Sequence, residues 1–173
     1  LSNDGEEIAL VDPFGVDVQR FTHNDVAPWP TAPDGLGYTL VLINPDDSPD
    51  HNDPLSWRSS VLAGGTPGSD DGDTFSGDPE VDLDGDGLNA LLEYAFGSVA
   101  GDSGFSQESM VSVGSGVFEG GEEFATITYR RNLAADDVTI KVQVSQDLET
   151  WVDDAVDFVQ SSPNGDGTEL VTF

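Results

Sequence analysis

The sequence predicts an all-β fold, in two sheet modules joined by an acidic loop and one short helix. Three observations predict it. Short apolar runs punctuated by turn residues fill both ends of the chain. Residues 139–145 alternate strictly, with Ile140, Val142 and Val144 on one side and Thr139, Lys141, Gln143 and Ser145 on the other. That is the period-two pattern of a half-buried antiparallel strand. Only Leu88, Leu91, Leu92, Ala95 and Phe96 fall at helical spacing, and Gly97 follows them as a C-terminal stop.

The elements follow in order. Ile8, Leu10 and Val11 form a first run, Asp12-Pro13-Phe14-Gly15 a turn, and Val16, Val18 and Phe21 a second run, so the three read as a hairpin. Residues 38–43 are nearly all apolar and end at Asn44-Pro45, which predicts a strand buried on both faces. Residues 69–81 are rich in Gly, Asp, Ser and Pro and contain no basic side chain. Within them, Asp70 to Asp78 reads as a plain solvated spacer. Residues 124–130 place Ala125, Ile127 and Tyr129 on one face of another strand, and residues 132–137 are turn-like. Residues 169–173 begin a further strand at the end of the chain, which suggests that the native protein continues. The expected division is therefore residues 1–68, 69–98 and 99–173.

Charge narrows the function. The 173 residues carry 34 acidic side chains against 5 basic ones, a formal charge of −29. Nucleic acid and anionic membranes are poor partners, because binding phosphate needs clustered Lys and Arg. The hydrophobic content of 36% together with 20 glycines is close to that of ordinary globular domains, so the chain is not a disordered acidic tail. No run of 18 apolar residues exists to span a membrane. Cysteine is absent, which excludes disulfides. Residues 1–10 lack the basic start and apolar core of a signal peptide. Self-repulsion at this charge is weakened by salt, with a Debye length of about 8 Å at physiological ionic strength. The composition therefore suits a salty or calcium-containing exterior.

The strongest chemical signal runs from Asp82 to Glu93 and fits the twelve-residue calcium loop D-x-D-x-D-G-x5-E. Asp82, Asp84 and Asp86 occupy positions 1, 3 and 5, where their carboxylates converge. Gly87 at position 6 permits the sharp turn. Leu88 at position 7 offers its backbone carbonyl, and Glu93 at position 12 closes the shell from a helix in bidentate fashion. Ala90 at position 9 has no side-chain oxygen, so a water takes that place. Asn89 is expected to face away from the ion or to cap the turn. Gly77-Asp78-Pro79 replaces an entering helix, so this is half of an EF-hand and not a paired sensor. The expected cofactor is Ca²⁺, bound in the range of about 10⁻⁴–10⁻³ M that suits extracellular modules.

Two resemblances add to this reading. Residues 1–6, the turn at 12–15, Trp29-Pro30, residues 34–40, Trp57-Arg58 and the exit at 64–68 resemble the C-terminal half of a bacterial lamin tail domain. That family implies an immunoglobulin-like β-sandwich used as a non-catalytic module of secreted bacterial proteins, here without its usual N-terminal strands. Residues 82–96 and 124–151, ending in Ser145-Gln146-Asp147-Leu148-Glu149-Thr150-Trp151, resemble C-terminal regions of secreted proteins from Verrucomicrobia and Planctomycetes. The fold expectation becomes two immunoglobulin-like sandwiches joined by a calcium loop and one short helix.

No nucleophile elbow, P-loop or zinc-binding His-Glu-x-x-His occurs. His23 and His51 have no ligand spacing and read as exposed loop residues. Trp29 and Trp57 read as core plugs, and Arg130-Arg131 as partners of nearby carboxylates. No catalytic residue and no enzyme activity is expected. The function expected is a calcium-stabilised structural or adhesive module of a secreted or cell-surface bacterial protein. One alternative is a filament subunit assembled by β-strand addition. The other is the accessory tail of a polysaccharide-degrading enzyme, in which Trp151 or Trp57 touches sugar. The partners are accordingly other domains or copies of the same protein, with polysaccharide for the enzyme tail.

Overall fold

The computed structural model describes residues 5–106, 110–118, 120–153 and 156–173. The first four residues of the lamin-tail resemblance lie outside them. The chain divides into two compact units, residues 1–71 and 72–173. The architecture is all-β and antiparallel, with sheets of two, two and four strands and one short α-helix among the described residues.

The first unit begins with the expected hairpin. Strand β1 (Glu6–Val11) pairs with β2 (Asp17–His23), with Ile8 opposite Phe21. Asp12 makes the turn: its Oδ1 accepts from the N–H groups of Phe14 and Val16 at 2.9 and 2.8 Å. Strand β3 is shorter than residues 38–43 suggest. It spans Leu40–Leu42 and pairs only with β4 (Trp57–Ser59). Its residues are half-buried, not buried on both faces. Asn44, at φ 47°, turns the chain out of the strand into a 3-10 turn at Pro45–Asp47, so no ladder can extend past it.

The core of this unit is aromatic. Trp57 stacks on Phe21 at 5.2 Å, meets His51 edge-on at 5.8 Å and lies 6.2 Å from Trp29. Its Nε1–H donates to the His51 carbonyl at 3.0 Å. The expectation of exposed loop histidines is therefore corrected. His51 is half-buried against an indole, and His23 closes strand β2 with its Nε2 buried and without a hydrogen-bond partner. An imidazole has an apolar ring face, and the aromatic cluster claims that of His51.

The second unit contains helix α1 (Ala90–Phe96) and a sheet in the order β5-β6-β8-β7. These strands are β5 (Val111–Val117), β6 (Glu123–Asn132), β7 (Gln160–Pro163) and β8 (Thr168–Thr172). Tyr129, Leu133 and Val171 are buried here with Leu88 and Ala95. The cleanest alternation in the sequence, residues 139–145, is not a strand. Lys141 and Gln143 are exposed and Ile140 and Val142 half-buried, but Val144 is exposed, Ser145 is half-buried, and the segment has only an isolated bridge between Val144 and Val152. Alternation belongs to one segment; a ladder also needs a partner backbone in register. The chain instead turns back at residues 145–151. There Asp147 Oδ1 accepts from the N–H groups of Glu149 and Thr150 at 2.9 and 2.8 Å, which brings its pKa down to about 2.

Candidate metal centre

The acidic loop folds on its own carboxylates. Asp82 Oδ1 accepts from Gly85 N–H at 2.7 Å and its Oδ2 from Gly87 N–H at 3.2 Å. Asp84 Oδ1 accepts from Asp86 N–H at 3.1 Å, and Asp86 Oδ1 from Leu88 N–H at 2.7 Å. Asp84 and Asp86 each spend one oxygen on the backbone, and Asp82 both. Gly87 sits at φ 93°, a conformation that an L side chain would strain. One oxygen from each of Asp82, Asp84 and Asp86 lies within 4.8 Å of the other two, a spacing that a single cation can bridge.

Two anchors hold this loop on the body of the unit. Leu88 is fully buried, which stabilises the docked loop by about 1.5–3 kcal/mol. Asn89 is the N-cap of α1, its Oδ1 accepting from Leu92 N–H at 3.0 Å. Asn89 thus takes the capping role, and the loop passes straight into the helix. No helix enters the loop: the preceding residues form a turn, and Ala90 N–H donates back to the Val81 carbonyl at 2.8 Å.

Glu93 projects from α1 and is 1% exposed, yet neither of its carboxylate oxygens has a hydrogen-bond partner. It stands outside the set of three oxygens within 4.8 Å. Burial raises its pKa above the ordinary carboxylate value, and the charges of Asp84, Asp86 and Asp82 raise it further. Asp84 Oδ2 and Asp86 Oδ2 are likewise buried without partners. The Gly101 backbone N–H lowers the pKa of Glu93 only in part. A buried carboxylate that makes no hydrogen bond and has three like charges beside it is costly. The donor set is all oxygen, the chemistry of a hard cation. The residues fit such an ion.

The C-terminal end of α1 is closed by a Schellman pair. Ser98 N–H donates to the Glu93 carbonyl at 2.9 Å, and Gly97 N–H to the Tyr94 carbonyl at 3.2 Å. Gly97 lies at φ 72°, and a Cβ on it would come within 2.5 Å of Thr168 Cγ2. The Tyr94 hydroxyl donates to Asp137 at 2.9 Å, and burial pushes its pKa up, helped by that hydrogen bond.

Residues 70–78 are less uniform than a solvated spacer. Asp71 is buried against Arg58, with Nη1 to Oδ2 at 2.7 Å. It also accepts from Val61 N–H and the Thr66 hydroxyl, each at 2.9 Å. Further on, Asp73 N–H donates to the Ala134 carbonyl at 2.7 Å and Phe75 N–H to Asp137 at 2.8 Å. Sequence reading passed over this buried pair. The available signal was scarcity, since a chain with so few basic residues places each with care. Arg20, Arg58, Arg130 and Arg131 all bind carboxylates: Glu7 and Asp17, Asp71, Asp166, and Glu169 in turn. Among the tryptophans, Trp29 is buried and Trp57 half-buried, as plugs should be, whereas Trp151 is 51% exposed.

No protein-family model, curated protein or solved structure matches this chain. The chemistry of the site is therefore what bears on function.

Proposed function

We propose that the chain is a non-catalytic, calcium-stabilised structural or adhesive module of a secreted or cell-surface bacterial protein. The observation that carries the reading is Glu93, buried with both oxygens unpartnered beside Asp82, Asp84 and Asp86. A cation there turns mutual repulsion into attraction and supplies the missing partner. The residues that hold it are Asp82, Asp84, Asp86 and Glu93, with the Leu88 carbonyl. Ca²⁺ suits the loop better than Mg²⁺, because a backbone of turns with oxygen donors accommodates seven or so ligands more readily than a tight octahedron. The lamin-tail resemblance supports immunoglobulin-like sandwiches as the setting, and the charge of −29 supports a salty exterior.

Isothermal titration calorimetry of the whole chain tests this reading. Calcium should bind at one site in the millimolar range or tighter, and magnesium more weakly. No calcium binding at millimolar concentration overturns the assignment. A second reading, a filament subunit completed by a strand from a neighbouring copy, is favoured by the hairpin of β1 and β2. It is a sheet of only two strands that exposes Leu10, Val11, Phe14 and Val18. Sedimentation of the same samples decides between them, because a species that stays monomeric at high concentration excludes self-completion.

A further inference from the structure

We infer that Arg130 and Asn132 are positioning residues of the cation site, acting on Glu93 through the C-terminal end of α1. This rests on the calcium reading above. Asn132 Nδ2 donates to the Tyr94 carbonyl at 3.0 Å, and Arg130 Nη2 to the Gly97 carbonyl at 3.1 Å. Both carbonyls belong to the turn that closes on the carbonyl of Glu93 itself. Helix α1 has seven residues, too few to hold its shape alone in water. Where Glu93 points is thus decided by what grips the two helix ends. Asn89 holds the first, and the last is held by β6 and β8.

The grip on that second end is built from several directions. Arg130 Nε donates to the Thr168 hydroxyl at 3.1 Å, and the guanidinium lies 5.2 Å from the centre of the Phe105 ring. Asn132 Oδ1 accepts from Ala134 N–H at 3.0 Å, which fixes the amide that reaches Tyr94. Gly97 lets the helix end close on Thr168. An ion that needs Glu93 in place therefore favours the helix docked on the sheet. By linkage, whatever favours docking favours the ion equally.

The sign of the effect makes the test sharp. Arg130→Met removes a positive charge, and Asn132→Asp keeps the acceptor for Ala134 while adding a negative one. Coulomb attraction alone would make both variants bind calcium more tightly. Positioning requires both to bind more weakly, by about tenfold, the size seen when partners of metal-binding side chains are removed. Arg130→Lys keeps the charge and one donor, so it should recover part of the loss. The measurement is calorimetry with calcium chloride on the full chain. Hydrogen exchange of the unaltered protein provides a second readout that needs no variant. Calcium should slow exchange at residues 128–132 and 168–172 as well as in α1, and leave β1 and β2 unchanged. Equal or tighter binding by both variants, or protection confined to residues 82–93, overturns the positioning role and leaves the calcium reading standing. An unaltered protein that binds no calcium removes both.

Discussion

Asp71 in the first unit and Glu93 in the second are both buried carboxylates, and they are treated in opposite ways. Asp71 closes the first unit with Arg58, the Val61 amide and the Thr66 hydroxyl around it. Burial pushes its carboxyl up, but these three donors outweigh burial and hold it below the ordinary carboxylate range. Glu93 in the second unit makes no hydrogen bond through either carboxylate oxygen and has three negative neighbours; the Gly101 N–H nearby offsets only part of this, and the Glu93 carboxyl is pushed up. The contrast teaches that burial alone says little about a carboxylate. What matters is whether the chain itself supplies the compensating charge. At Asp71 it does, so that group is part of the fold. At Glu93 it does not, and compensation has to arrive from solution.

The largest expected effect tests the first half of that contrast. Arg58→Ala strands a buried aspartate, and urea unfolding should show a loss of about 3–5 kcal/mol. A loss near that of a surface substitution would mean that Asp71 is not compensated by Arg58. The same pairing sets an acid limb. Because the folded pKa of Asp71 is depressed, its contribution is complete above the unfolded value of about 3.9. It is lost as pH falls through the lower folded value, since the unfolded chain then takes up the proton first. The acid limb should flatten in the Arg58 variant.

The next effect tests the second half. Calcium at a hundredfold excess over its dissociation constant should stabilise the protein by roughly 2.7 kcal/mol. Glu93→Gln should abolish most of that gain, yet cost nothing without calcium, because it removes an uncompensated buried charge. Thermal unfolding of both proteins with and without calcium checks this. A Glu93→Gln protein that loses stability in the absence of calcium would show that the carboxylate is satisfied by the chain after all.

The smallest effect concerns local order. Asn89→Ala removes the N-cap of α1 and should cost about 1 kcal/mol whether or not calcium is present. A cost that appears only with calcium would place Asn89 in the site and not merely at the helix start.

How far the sequence could be read varied with the range of the interaction. The Asp12 turn, the hairpin it joins, the helix after Leu88 and its stop at Gly97 are local, written in residues within a few positions of one another. Each of them appears in the structure. The spacing of Asp82, Asp84 and Asp86 is local too, and the structure gathers the three. Residues 139–145 went the other way, because alternation along a segment says nothing about a partner strand. His51 departs from expectation for a similar reason: a polar neighbourhood in sequence became an aromatic one in space once Phe21 and Trp57 met.

By itself, the sequence determined that this chain builds antiparallel β-structure around one acidic loop and one short helix, since turn chemistry and side-chain period act over a few residues. Only the tertiary structure decided which buried carboxylates meet a counter-charge. Asp71 finds Arg58 13 positions away, while Arg130 and Asn132 reach the end of α1 from 33 and 38 positions further along the chain. Charge compensation at these buried sites depends on distance in space, and no pattern of neighbours along the chain encodes it.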